Sequence, residues 1–203
     1  MKIIFSILSS TFLSFIYIQF ETKNRFINSR ILSFTNSLVT SCMGLYKFYY
    51  YTTINNYICE SSYLDDFVST FFITYLLFDL IMGYYDYHEH INILSGYIHH
   101  SLFIPIVYNI LYNEQSSCIS LIYIIEVPTI LLCLKVFIHI NKSLYIISFG
   151  ITFFIFRILF VFRILFEIVY YVDDDKYYFI YILFPMLLIH IYWFQEYLSK
   201  YVY

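Results

Sequence analysis

Seven stretches of the chain, at about residues 3 to 20, 31 to 51, 64 to 84, 93 to 112, 117 to 138, 144 to 166 and 180 to 198, each supply close to the 20 mostly apolar residues that a helix needs to cross a bilayer core. With 61% hydrophobic and 12% charged residues, and a mean hydropathy of +0.73, a water-soluble fold would have to expose far more apolar surface than such folds carry. The chain therefore belongs in lipid. Runs such as Ile151 to Phe162 are apolar almost all round, whereas strands of a membrane barrel alternate apolar and polar residues. The expected fold is all-α, a multi-pass transmembrane helical protein of about seven spans.

Short basic loops set the expected orientation. Lys23, Arg25 and Arg30 flank the first loop, Lys135 and Lys142 the fifth, and Lys200 lies in the tail. The opposite side holds Lys2, Lys47 and Lys176 with the acidic run Asp173, Asp174 and Asp175. The positive-inside rule then places the N-terminus outside or lumenal and the C-terminus in the cytosol. Lys2 precedes an apolar run, as in a signal peptide, but no Ala-x-Ala-like site follows, so residues 3 to 20 read as a retained span. The chain divides into a first span and loop (1–29), a six-helix membrane domain (30–200) and a short tail (201–203).

Several function classes lose support at once. A net charge of -3 without a long basic patch gives no footprint for nucleic acid. Cys42, Cys59, Cys118 and Cys133 are widely spaced and form no CxxC pair, which indicates neither a zinc site nor a disulfide framework. Asp86, His88, Glu89 and His90, with His99 and His100, look superficially like a di-iron cluster. Six histidines, with His139 and His190 elsewhere, fall short of the roughly eight such sites use, so no metal is expected and Asp86 to His90 reads as a solvated loop. With four glycines and no alanine there is no GxxxG surface, and the sequence leaves the oligomeric state open. A transporter or receptor is disfavoured, since no broken inverted repeat is visible and Gly83-Tyr84-Tyr85 stands where a receptor would carry an arginine motif.

Ionisable residues inside spans are costly and mark functional positions by default. At a rise of about 1.5 Å per residue, Asp79 near the end of span three, His99 and His100 near the start of span four, and Asn36 in span two fall at one level, roughly 8 to 12 Å below the cytosolic surface. Glu126 and Arg157 fall near mid-membrane and are expected to pair, with His190 slightly closer to the cytosol; Arg163 is placed to snorkel toward the headgroups. Adjacent helical residues point about 100° apart, so at least one of His99 and His100 faces the protein interior. A carboxylate such as Asp79 beside a histidine fixes its tautomer and raises its basicity, which suits a general base. Pro105, Pro128 and Pro185 suggest kinks that free backbone carbonyls toward a cavity.

Taken together these residues resemble the TLC-domain family. Tyr75 through Asp79 to Tyr84 is similar to its Y-x-x-x-D helix, Gly96-Tyr97-Ile98-His99-His100 to its histidine-pair helix, and Glu126-Val127-Pro128-Thr129 to the E-x-[PS]-T element of its smaller members. Weaker echoes are Arg30 to Ser37, Phe156-Arg157 and Tyr192-Trp193-Phe194, and the resemblance covers about residues 30 to 200. It implies six helices in a barrel around a cavity, with the first span outside, and a lipid connection through the ceramide synthases. In those enzymes the histidine pair performs acid/base chemistry while an acyl group passes from acyl-CoA to a sphingoid amine. The paired aspartates of that branch are absent here, where span five offers only Glu126 with Pro128 and Thr129.

The leading expectation is a protein that binds or handles membrane lipids in the endoplasmic reticulum or a related internal membrane, with Asn36, Glu126, Arg157 and His190 as polar groups of a lipid cavity. The alternative is an N-acyltransferase with His99, His100 and Asp79 as catalytic candidates. No cofactor is expected, acyl-CoA entering as co-substrate if there is turnover.

Overall fold

The computed structural model describes residues 2–50, 61–138, 141–171 and 178–201. Tyr51, Cys59, His139, Asp173, Asp174, Asp175 and Lys176 lie outside the described residues. Every one of the seven apolar stretches is helical, and no strand occurs among the described residues. In chain order the helices are α1 (Lys2–Phe20), α2 (Arg25–Tyr50), α3 (Tyr63–Tyr85), α4 (His99–Tyr112), α5 (Ser116–Ile122), α6 (Val127–Phe137), α7 (Lys142–Phe153), α8 (Phe160–Tyr171) and α9 (Tyr178–Tyr201). The pairs α5/α6 and α7/α8 are each one long helical rod with an irregular turn inside. Lys2–Phe20, Tyr63–Tyr85, Ser116–Phe137, Lys142–Tyr170 and Phe179–Tyr201 are long and apolar enough to cross a membrane. The chain is an all-helical, multi-pass integral membrane protein.

α2 lies at the centre and packs against α1, α3, α5 and α6. Its buried side includes Asn36, Ser37, Thr40 and Ser41, while Leu38, Leu45 and Tyr46 are exposed. A polar face turned to protein and an apolar face turned outward is the arrangement lipid demands. Gly44 permits the closest approach: a Cβ there would lie 2.3 Å from the backbone nitrogen of Ile124.

The N-terminus of α3 is fixed by a capping box. Ser62 Oγ accepts from the Asp65 amide at 3.2 Å, and Asp65 Oδ2 accepts from the Ser62 amide at 2.9 Å. The same carboxylate accepts from Lys47 Nζ at 2.9 Å, and both residues are buried. Lys47 also donates to Ser117 at 3.0 Å, so one ammonium joins α2, α3 and α5.

α1 packs on α3. Its buried residues Ser9, Leu13 and Tyr17 repeat every four positions, and Phe5 and Phe12 lie against Phe67 and Phe71. At its end the Tyr17 hydroxyl donates to Asp86, a carboxylate also met by Asn28 Nδ2 at 3.4 Å and by Arg25 Nε at 3.8 Å. The expectation of a solvated loop is thereby corrected for Asp86, which ties three segments together; His88, Glu89 and His90 are exposed on a 3₁₀ turn.

Of the three prolines, Pro128 alone adjoins a non-α turn, the 3₁₀ segment Tyr123–Glu126. Lacking an N–H, it sits at the start of α6, where that donor has no intrahelical partner anyway. Pro105 and Pro185 lie inside α4 and α9 without an assigned break. Two further irregularities have no proline: Ile93–Ile98 before α4 and Phe154–Leu159 between α7 and α8 are π-helical.

Candidate functional site

An internal cavity of about 190 Å³ lies beside two of these irregular turns, Tyr123–Glu126 and Phe154–Leu159, and the start of α4. Asn36 reaches it from α2, His99 and His100 from α4, Glu126 from the 3₁₀ turn, Arg157 from the second π-helical segment, and His190 with Trp193 from α9. Tyr75 and Phe72 of α3 complete the wall, and no α1 residue contributes. Each π or 3₁₀ turn shifts the side chains that follow, and single turns of this kind recur at functional sites. Here one such turn ends on Glu126, one carries Arg157 and one immediately precedes the histidine pair.

His100 is buried, at 7% exposure, with Nδ1 3.2 Å from Asp79 Oδ2 but not aligned for a hydrogen bond. Asp79 Oδ1 accepts from the Tyr87 hydroxyl at 2.5 Å. Burial and the Asp79 charge raise the Tyr87 phenol well above its ordinary value, so it remains a donor. Asp79 lies outside the 190 Å³ cavity, behind His100, in an adjoining chamber of about 120 Å³. His99 lies against Phe103 with ring centres 4.4 Å apart and is 6.4 Å from the Trp193 ring.

Arg157 is held mainly by neutral acceptors. Its Nε donates to the Ile125 carbonyl at 3.0 Å and its Nη2 to Thr129 Oγ1 at 2.7 Å, while Glu126 Oε2 stands off at 3.8 Å. Ile125 and Thr129 stand on either side of the Glu126–Pro128 turn, so the residues around the proline are wired to Arg157. His190 Nδ1 lies 3.1 Å from the Arg157 carbonyl and its ring meets Phe153 edge-on. Ser37 donates to Glu126 at 3.4 Å. The Asn36 side chain is 2% exposed, and its Oδ1 has no hydrogen-bond partner in the protein.

The chain matches no family model, no curated protein and no solved structure.

Asn36, His99, His100, Glu126, Arg157 and His190, picked from five different spans, meet at one cavity, with Asp79 one side chain behind. Sequence reasoning missed Arg30, treated there as a loop cation, although its side chain lines both chambers. It also missed Tyr87 and the Lys47–Asp65 pair. Lys47 sits one turn from the end of α2 and reads as a flanking charge; only the bundle reveals that it turns inward. Among the described residues no group of three His, Cys, Asp or Glu side chains converges as metal ligands do, and Cys42, Cys118 and Cys133 are free thiols. Arg163 is engaged by Glu167, 2.8 Å away and one turn on along α8.

Proposed function

We propose that this is a lipid-binding or lipid-handling membrane protein of TLC type, with seven spans of which six surround the cavity, in the endoplasmic reticulum or a related membrane with its C-terminus cytosolic. The observation that carries the reading is the cavity itself: a small chamber in which Asn36, His99, His100, Glu126 and Arg157 stand among apolar side chains such as Phe72, Phe103 and Leu132, inside a bundle whose outer surface is apolar. Burying so many polar groups in hydrocarbon is costly, and a headgroup that hydrogen-bonds to them offsets that cost. About 190 Å³ is below the 300 to 1,000 Å³ of pockets that enclose whole drug-sized ligands, which fits a headgroup held inside with its chain in the bilayer.

The test is mass spectrometry of lipids that co-purify in mild detergent with the wild type and with the double variant His99→Ala, His100→Ala. A defined lipid species retained by the wild type and lost from a folded double variant supports the proposal. Equal lipid profiles from the two proteins refute it.

A second reading is favoured by the Asp79–His100 contact. In an N-acyl transfer, a lipid amine attacks the thioester carbonyl of acyl-CoA, the C–S bond breaks, and the amine proton passes through histidine to the departing thiolate. His100, with the Asp79 carboxylate beside it, is the base in that scheme, and His99 lines the same cavity. Incubation with acyl-CoA and a sphingoid base separates the readings: amide formation abolished by His100→Ala establishes turnover, and bound lipid without product leaves lipid handling.

A further inference from the structure

The two chambers share four wall residues, Arg30, Ser33, Tyr75 and His100. Ser33 and Tyr75 are joined through their hydroxyls at 3.3 Å, and the Tyr75 and His100 rings stand 5.7 Å apart. Together they form a doorway between the outer chamber, edged by His90 and Asn92 of the loop after α3, and the inner one. Arg30 is the cation in that doorway. Its guanidinium carbon lies 5.3 Å from the Phe26 ring centre, and among the described residues no carboxylate comes within 4.0 Å of it. The two carboxylates nearest in the site are already engaged, Asp79 by Tyr87 and His100, Glu126 by Ser37 and Arg157. A half-buried cation of this kind calls for an anion, and guanidinium geometry suits an oxyanion such as phosphate.

Deeper in the site the demand is reversed. The buried Asn36 Oδ1 has no partner and needs a donor. Arg30 lies five residues into α2 and Asn36 six residues beyond it, about 9 Å further along the axis. From loop end to interior the order is therefore cation first, acceptor second.

We propose that Arg30 binds the anionic group of the occupant at this doorway, and that the occupant is an amphiphile whose phosphate ester is followed, toward its tail, by a free hydroxyl or amine that donates to Asn36. A single-chain phosphate ester of glycerol has this order of groups. The inference rests on the reading of the cavity as a lipid site and adds the class of lipid.

Trp193 is the only tryptophan in the chain and lines the inner cavity, so its emission reports occupancy. Purified full-length protein in maltoside micelles is titrated with lysophosphatidic acid, with monoacylglycerol (same tail, no phosphate), with phosphatidic acid (no free hydroxyl) and with inorganic phosphate. The wild type is expected to give a saturable response to lysophosphatidic acid at least about tenfold tighter than to monoacylglycerol. Arg30→Gln should abolish that preference at an unchanged unfolding temperature, Arg30→Lys should keep part of it, and Asn36→Leu should weaken lysophosphatidic acid while leaving phosphatidic acid unchanged. Equal binding by the wild type and Arg30→Gln overturns the inference, as does saturation of the same response by inorganic phosphate alone. A wild type that prefers a neutral lipid overturns this inference only; one that neither responds to nor co-purifies with any lipid removes the lipid reading with it.

Discussion

Lys47 and Asp65 show how a single residue can be worth more in place than it costs. Both are buried, and the pair survives because Asp65 also closes the Ser62 capping box and Lys47 also reaches Ser117. Replacing Lys47 with Met strands a buried carboxylate, and the expected loss is about 3 kcal/mol or more. Adding Asp65→Asn should recover part of it, since the amide oxygen still caps α3 without a charge to satisfy. Thermal unfolding in detergent measures both; a double variant no more stable than Lys47→Met contradicts the account. Arg157→Met should be comparably severe, because it orphans the Ile125 carbonyl and Thr129 together, and Arg157→Lys milder, because one ammonium can still serve one of them. The sequence made Arg157 conspicuous as a charge in an apolar run and offered Glu126 as its partner. It carried no sign that the short bonds go to the neutral groups on either side, since a backbone carbonyl and a threonine hydroxyl do not stand out in composition.

At the level of elements, the apolar stretches located the α-helices among the described residues, because a run of about 20 apolar residues leaves few alternatives in lipid, and five of those helical segments are long and apolar enough to span. The polar residues deep within them were also legible through their expense, whereas Lys47 and Asp65, close to the stretch ends, read as flanking charges. The departures from regular helix were legible only at Pro128. The π-helical turns at Ile93–Ile98 and Phe154–Leu159 contain no proline to announce them, yet one precedes His99 and His100 and the other carries Arg157. Close approach of elements was equally silent: Gly44 is one glycine among four, and only the fold shows α2 resting there on the backbone of Ile124. Gly44→Ala should lower stability by about 2 kcal/mol or more, because the contact is with backbone and cannot be relieved by a rotamer change. A Gly44→Ala protein with an unchanged unfolding temperature would show that α2 does not pack this closely.

For the whole molecule, α1 supplies nothing to the cavity wall but is fastened to the bundle at both ends. Lys2 Nζ donates to the Leu111 carbonyl at 2.8 Å, and Tyr17 donates to Asp86. Tyr17→Phe removes a hydrogen bond to a charged acceptor, worth about 1.5 to 3 kcal/mol. Trypsin should then cut faster at Lys23 and Arg25 in the connection to α2, while ligand binding in the cavity stays as in the wild type. Unchanged cleavage would mean that Lys2 and the aromatic packing of Phe5 and Phe12 hold α1 without the Tyr17 bond.

The central claim is that the chamber between Asn36, His99, Glu126 and Arg157 is where a lipid headgroup is held. A crystal structure of the wild-type protein grown from a lipidic mesophase reads this most directly. The account predicts density for an amphiphile with its polar end against Asn36 Oδ1 and the Arg30 doorway and its chain leaving between helices. A chamber holding only water, with Asn36 satisfied by it and lipid density confined to the outer surface, would contradict the claim and leave these residues as the polar framework of the bundle.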